Sequence, residues 1–171
     1  MIQKDNFVSK DSKIFVSGHR GMVGRACLRN LKKKGYKNLI KISSKNLDLR
    51  NQTKVENFFK KNKPQIVIHA AAKVGGIHAN DTLPYDFLLY NMQIQNNLLT
   101  NSLKFGVKKF IFLGSSCIYP KFSKQPIKEK YLLSGSLEET NIWYAIAKIS
   151  GLKLMQSINK QFNKKFVALM P

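Results

Sequence analysis

Three residues have types and spacing suited to moving a proton. Tyr144 and Lys148 lie four apart, so on a helix they share one face. An ammonium beside a phenol favours the phenolate and lets the tyrosine exchange its proton nearer neutral pH. Ser115 follows the apolar run Lys109 to Leu113. It would sit just beyond a strand's C-terminal end, where open α/β sheets bind ligands.

A second group could cradle phosphate. Gly18, Gly21 and Gly24 give the spacing GxxGxxG between an apolar run and a helical pattern. Gly18 permits a tight turn, Gly21 lets a pyrophosphate approach the backbone, and Gly24 lets the helix pack closely on the strand. The helix N-terminus then offers free N–H groups and a positive dipole end to phosphate. About 20 residues on, a cofactor without a 2′-phosphate usually meets Asp or Glu. Here the chain reads Ser43-Ser44-Lys45-Asn46, with no acid. Lys45 and Arg20 could hold a 2′-phosphate, which favours NADP over NAD; Lys45 as one more solvated lysine is the other reading. Asp48, a little further on, is expected to face the adenine.

These residues need strands and helices to position them, and the apolar periodicity supplies both. Lys13 to Ser17, Leu39 to Ile42, Gln65 to Ala71, Lys109 to Leu113 and Phe166 to Leu169 read as strands. Met22 to Lys34, Thr53 to Lys61, Pro84 to Leu103 and Tyr144 to Phe162 have helical spacing, with Gly35 closing the first. Tyr119 to Thr140 holds proline, glycine and serine and reads as mostly loop. Alternating strands and helices predict an α/β fold, a doubly wound parallel sheet of Rossmann type with helices on both faces.

Composition narrows the function classes. The chain has 171 residues and 43% hydrophobic content, enough for one globular domain. Its net charge is +21, which raises nucleic acid or an anionic membrane as partners. Against this, only four of the 30 basic residues are arginine, the better residue for bidentate phosphate contacts. The lysines group at 32–34, 60–63, 104–109 and 160–165, where cations complement helix C-termini. No nucleic-acid or membrane partner is expected. Cys27 and Cys117 form no CxxC pair, the three histidines lack ligand spacing, and no metal site is expected. No apolar run approaches the roughly 20 residues that span a bilayer. Met1 to Ser12 has no signal-type apolar core, so a cytoplasmic location is the default.

Taken in order, GHRGMVG, AAAKVGGI, NMQIQNN, FLGSSCIYPK, KQPI and YAIAKISGLKL resemble the extended branch of the short-chain dehydrogenase/reductase superfamily. They are most similar to its GDP-4-keto-6-deoxy-D-mannose epimerase/reductases, and the resemblance runs from about Lys13 to Pro171. It implies NADPH as cofactor and a GDP-sugar substrate. C3 and C5 would be inverted through enolates, and C4 then reduced, giving GDP-L-fucose. Tyr144 would give a proton to the C4 oxygen, Ser115 would hydrogen-bond that oxygen, and Lys148 would lower the tyrosine pKa and hold the nicotinamide ribose. Cys117 would be an acid/base residue in the epimerisation; without the resemblance it reads as a small buried hydrophobe. The cofactor would be held by Gly18, His19, Arg20, Gly21, Met22, Val23 and Gly24 of the glycine loop, with Lys45 and Asp48. Leu113, Gly114, Ser115 and Ser116 at the strand end, with Lys148 and Pro171, complete that set.

The resemblance carries further expectations. Ala70 to Ala72 would pass beside the cofactor and Lys73 would line the site, whereas His69, inside a strand, reads as structural. Trp143 and Ser44 depart from the family pattern, the latter where an arginine usually meets the 2′-phosphate. A catalytic histidine and a small substrate domain would follow Pro171. Residues 1–171 are thus expected to be an NADP-binding domain cut before the last strands, inactive alone. Pairing of the two long helices, through Leu88, Leu89, Met92, Leu98, Leu99, Leu152, Leu154 and Met155, would give a homodimer. Another nucleotide-sugar epimerase or dehydratase, or a non-catalytic nucleotide-binding remnant, are the alternatives.

Overall fold

Short apolar runs bounded by glycine and proline become a parallel sheet. The protein is described from a computed structural model, over residues 8–170. The strands are β1 (Ile14–Ser17), β2 (Leu39–Ile40), β3 (Ile66–His69), β4 (Lys109–Leu113) and β5 (Val167–Leu169). All pair in parallel, in the order β2-β1-β3-β4-β5. Between them run α1 (Met22–Lys33), α2 (Gln52–Asn62), α3 (Ile77–Thr82), α4 (Pro84–Lys104) and α5 (Ile142–Phe162). The doubly wound α/β sheet expected from the sequence is present.

Register brings the strand ends together. Ser17 lies opposite His69, and His69 opposite Phe112. The chain therefore leaves β1, β3 and β4 at one edge, where Gly18, Ala70 and Gly114 follow. His69 is buried between the Phe110 and Phe112 rings, with Nδ1 3.2 Å from Ser17 Oγ. Burial holds its pKa well below the ordinary histidine value, so it is a neutral core residue, as expected.

Side-chain alternation divides the core. Phe15, Val67, Phe110 and Phe112 face α2, α4 and α5, which contribute Phe59, Leu99 and Leu152 among others. Ile14, Val16, Ile66 and Ile68 face the other way, onto Leu28 of α1. Basic residues occupy the last turns of α1, α2, α4 and α5, as the lysine grouping suggested.

Several boundaries differ from the sequence reading. β2 stops at Ile40, because only two of its residues pair with β1 at the sheet edge. β3 stops at His69, after which the backbone turns out of the sheet. α3 was not expected; its one buried residue is Asn80, so it has no apolar stripe to read. α5 begins at Ile142, two residues before Tyr144. Residues 119–140 are loop with single 3-10 turns at Glu129–Tyr131 and Glu139–Asn141.

One close contact sets the position of α5. Gln95 on α4 is almost fully buried and donates from Nε2 to Ala147 O at 2.6 Å and to Ser150 Oγ at 3.0 Å. Gly151 makes room for that amide; a Cβ there would sit against the Gln95 carboxamide. Gly151→Ala gains about 1 kcal/mol of helix propensity. The clash in a hydrogen-bonded, buried neighbour costs about 1–3 kcal/mol and outweighs it. Thermal unfolding should show Gly151→Ala melting a few degrees below wild type; a raised melting temperature would show that α4 and α5 are free to part.

Candidate functional site

The glycine loop opens one wall of a cleft of about 620 Å³. Gly18 takes φ +72°, and a Cβ there would strike the Ala70 backbone. A Cβ on Gly24 would strike the backbone of Gly18 and His19, so the loop can close over α1 only with glycine at both positions. A Cβ on Gly21 would meet only Gly18 O within 4 Å, at 3.4 Å, so that position is open. Gly21 is also the N-cap of α1, with no side-chain cap bond and no acid in the first turn. Free N–H groups and the helix dipole thus face the cleft unopposed by local negative charge.

The rest of the cleft sorts by charge. Arg20, Ser44 and Lys45 line it beside His19. Burial first, then Arg20 and Lys41, lowers the His19 pKa, so this corner is cationic without it. Asp48 lines the cleft too but is engaged: Arg50 chelates it, with Nη2 2.8 Å from Oδ2. The Arg50 hydrogen bond holds the Asp48 carboxyl below its usual range. Arg50 also stacks 4.4 Å from the Tyr90 ring centre. On the far side Ala70, Ala71, Ala72 and Lys73 pass along the cleft. A dinucleotide phosphate with an extra 2′-phosphate fits this donor set: an open glycine loop, an uncapped helix start and a cationic corner.

A smaller pocket of about 200 Å³ lies beyond, and Val74 lines both. Ser115, Cys117 and Tyr144 line it together. Cys117 Sγ donates to Ser115 Oγ at 3.2 Å. Burial pushes the Cys117 thiol up, partly offset by that bond and by Lys148. Lys148 is 4% exposed; its Nζ donates to Leu113 O at 2.9 Å and lies 5.7 Å from the Tyr144 ring centre. Burial lowers the Lys148 pKa to about 8.

One expectation is corrected here. The sequence suggested that Lys148 pulls the Tyr144 pKa down. Burial, and then Cys117, instead pushes it up to about 12. Tyr144 is therefore a neutral phenol that holds its proton at neutral pH.

The other expected cofactor residues stand further out. Met22 is 86% exposed, and neither it nor Val23 lines the cleft. Leu113 offers its carbonyl to Lys148, Gly114 N donates to Leu169 O at 2.8 Å, and Ser116 is the exposed first residue of a 3-10 turn that buries Ile118. Pro171 lies outside the described residues. Sequence reasoning missed Arg50, Tyr90, Asn80 and Asn91. Asn91 is buried and grips the Lys73 backbone at both N–H and C=O, 2.8 and 3.0 Å away. The four-residue spacing of Asn91 from Phe87 and of Gln95 from Asn91, which puts amides on the buried face of α4, was the available signal. Among the described residues no group of His, Cys, Asp and Glu could hold a metal ion.

Lys148 has a measurable cost. Its pKa falls from 10.5 in the unfolded chain to about 8 when folded. Between those values the unfolded state binds the extra proton, so stability rises with pH across this window and is lost as pH falls through about 8. The shift corresponds to about 3 kcal/mol. Lys148→Met should therefore unfold at higher urea than wild type at pH 7, with the gap shrinking toward pH 10. A gap that is independent of pH would show that Lys148 is not desolvated.

The model of the NAD dependent epimerase/dehydratase family matches residues 14–171. The chain is 54% identical over 162 residues to GDP-L-fucose synthase 1 of Arabidopsis thaliana, covering 95% of this chain and 50% of that one. It is 46% identical over 159 residues to GDP-L-fucose synthase of Escherichia coli strain K12, covering 93% and 50%. It is also similar to a solved GDP-mannoheptose C4 reductase from Campylobacter jejuni with NADP bound: TM-score 0.93, 40% identity, 95% of this chain and 52% of that one. The chain spans about half the length of the curated relatives it matches. With its glycine loop, parallel sheet and Tyr144–Lys148 pair in place, this chain belongs to the NAD dependent epimerase/dehydratase family.

Proposed function

We propose that residues 1–171 form the NADP-binding Rossmann-type domain of a GDP-L-fucose synthase. The whole protein would convert GDP-4-keto-6-deoxy-D-mannose to GDP-L-fucose by inverting C3 and C5 and reducing C4. The observation that carries this reading is the meeting of Ser115, Cys117 and Tyr144 in one small pocket that shares a wall with the cleft. The relatives' names and the NADP in the Campylobacter jejuni structure support it.

When bound, NADPH would supply hydride for the ketone at C4. Arg20 and Lys45 would hold its 2′-phosphate, and the start of α1 would hold the pyrophosphate. Tyr144 keeps its proton in the resting site and delivers it to the C4 oxygen. The Lys148 ammonium then faces the phenolate left behind, with N–H donors to spare for a ribose hydroxyl. Ser115 orients the C4 oxygen through Oγ. Cys117, held neutral by burial, is in the state that returns a proton to carbon.

No helix among the described residues is long and apolar enough to cross a membrane. Both cysteines are free thiols, and the reading places the protein in the reducing cytoplasm. A homodimer through α4 and α5 is part of it, on a smaller surface than the sequence suggested. Leu98, Leu99, Leu152 and Met155 are buried in the core, which leaves Leu88, Leu89, Met92 and Leu154 half-buried for a partner.

A second reading, a C4 reductase without epimerisation, is favoured by one observation. The Cys117 thiol is raised and spent on Ser115 Oγ, so it is a poor base at neutral pH. In a protein of the relatives' full length that carries this segment, solvent deuterium should enter C3 and C5. Cys117→Ser should slow that exchange more than it slows reduction, and Tyr144→Phe should lower reduction by about 10²-fold or more. Reduction without deuterium at either carbon would select the second reading.

Cofactor choice is testable on these 171 residues. NADPH should bind more tightly than NADH, and Arg20→Ala should cost about 1.5–3 kcal/mol of that difference, the worth of a charge-assisted bond. Fluorescence titration of the two cofactors reads it directly. Equal affinities in wild type would remove the 2′-phosphate role of the cationic corner.

A further inference from the structure

Among the described residues, Asp48 is the only carboxylate that lines the larger cleft. It is also the first acid after the glycine loop, with no Asp or Glu between Asp11 and Asp48. Leu47 N donates to Ser43 O at 2.9 Å, closing a turn that keeps Asp48 near Ser43, Ser44 and Lys45. All four residues line the cleft. An acid at such a place ordinarily accepts the ribose 2′-hydroxyl, and its charge opposes a 2′-phosphate. A free Asp48 would therefore work against Arg20 and Lys45.

Asp48 is not free. Arg50 donates from Nε to Oδ1 at 3.0 Å and from Nη2 to Oδ2 at 2.8 Å. Its backbone N–H adds a bond to Oδ1 at 3.0 Å. One residue thus occupies both carboxylate oxygens in fork geometry. Each side chain is 40% exposed, and an ion pair so open to water is ordinarily loose. Helix α4 fixes this one. The Tyr90 ring centre lies 4.4 Å from the guanidinium carbon. Two turns further along α4, the buried Asn97 donates from Nδ2 to Leu49 O and to Arg50 O, both at 2.9 Å. The helix holds the guanidinium by its face and the backbone by its carbonyls. An exposed ion pair adds little stability, so this much fixing is out of proportion to its worth to the fold.

We propose that Arg50 is a positioning residue for cofactor choice: it masks the Asp48 carboxylate and so lets the cleft take a dinucleotide with a 2′-phosphate. This rests on the reading that the cleft holds NADPH, and adds a residue on which that preference depends. Arg20 and Lys45 supply attraction, and Arg50 cancels the one charge that opposes it. Once uncovered, the same carboxylate has oxygens free for a ribose 2′-hydroxyl. Loss of Arg50 therefore shifts the choice toward NADH instead of weakening both cofactors alike.

The test is fluorescence titration of the full chain with NADPH and with NADH, read as the ratio of the two affinities. Arg50→Leu should lower the NADPH preference by about fivefold or more. Adding Asp48→Asn to Arg50→Leu should bring the ratio back to within about twofold of wild type, because it removes the uncovered charge. A loosened loop would weaken both cofactors together and leave the ratio where it was, so damage to the fold does not mimic the effect. If the double variant stays as low as Arg50→Leu, Arg50 contacts the phosphate itself and the masking role is overturned. An unchanged ratio in Arg50→Leu would overturn it too, with the NADPH reading of the cleft left standing. Equal affinities in wild type would overturn the cofactor preference and this proposal together.

Discussion

A single buried ammonium ties the candidate site together. Lys148 Nζ reaches from α5 to Leu113 O at the end of β4. That bond joins the helix that carries Tyr144, one turn earlier, to the strand end that carries Ser115, two residues later. Phe110 and Phe112 of β4 already share a core with Ile149 and Leu152 of α5, and the bond adds a polar contact at the pocket end of that packing. The bond is made at the cost of desolvating a charge, which neighbouring elements must offset. Gln95 does part of this, holding α5 against α4 through Ala147 O, the carbonyl next to Lys148. The packing of α4 on α5 is thus a condition for the chemistry, since it fixes the height of α5 above the sheet.

Two neighbouring cavities divide the electrostatic work. The larger is framed by a stretch with no carboxylate between Asp11 and Asp48, yet rich in lysine and arginine. Such a field suits a ligand with several negative charges and would draw it to the glycine loop. The smaller cavity has no charged lining and pushes both Tyr144 and Cys117 toward their neutral forms. On the proposed reading a polyanion would be held in one cavity, and proton transfer to a neutral ring would take place in the other. The high net charge of the chain acquires a local meaning here that its total alone does not give.

The parts of this molecule that were legible in the sequence are those governed by local periodicity. β4 and its apolar face, the glycine loop and the Tyr144–Lys148 spacing all depend on residues close in sequence. What was not legible depends on the environment a fold creates. The direction of the Tyr144 shift is one case: spacing announced the ammonium, but the depth of burial decides the sign. α3 is another, because a helix whose one buried side chain is Asn80 has no periodic signal. Asp48 was read as a residue for the adenine; nothing in its sequence position announced that Arg50 would chelate it. The apolar residues of α4 and α5 were counted as one surface, although half of that set closes the core.

The loop after β3 shows how the two cavities are kept in register. Ala70 to Val74 form one side of the cleft, and Val74 and Gly75 form one side of the pocket. A loop has no ladder to hold it, and a wall shared by two ligands must not drift. Asn91 supplies the missing rigidity, taking the Lys73 N–H and C=O as a paired strand would and donating also to Phe87 O at 2.7 Å. Asn80 adds donor bonds alone, from Nδ2 to the Gly75 and Gly76 carbonyls. The close fit of Gly75 against Ala79 and Phe87 leaves no room for a side chain at that point. Two asparagines from α3 and α4 thus do for this segment what sheet hydrogen bonds do for β3, and carry its order past the end of the strand to where the ring of the substrate would lie.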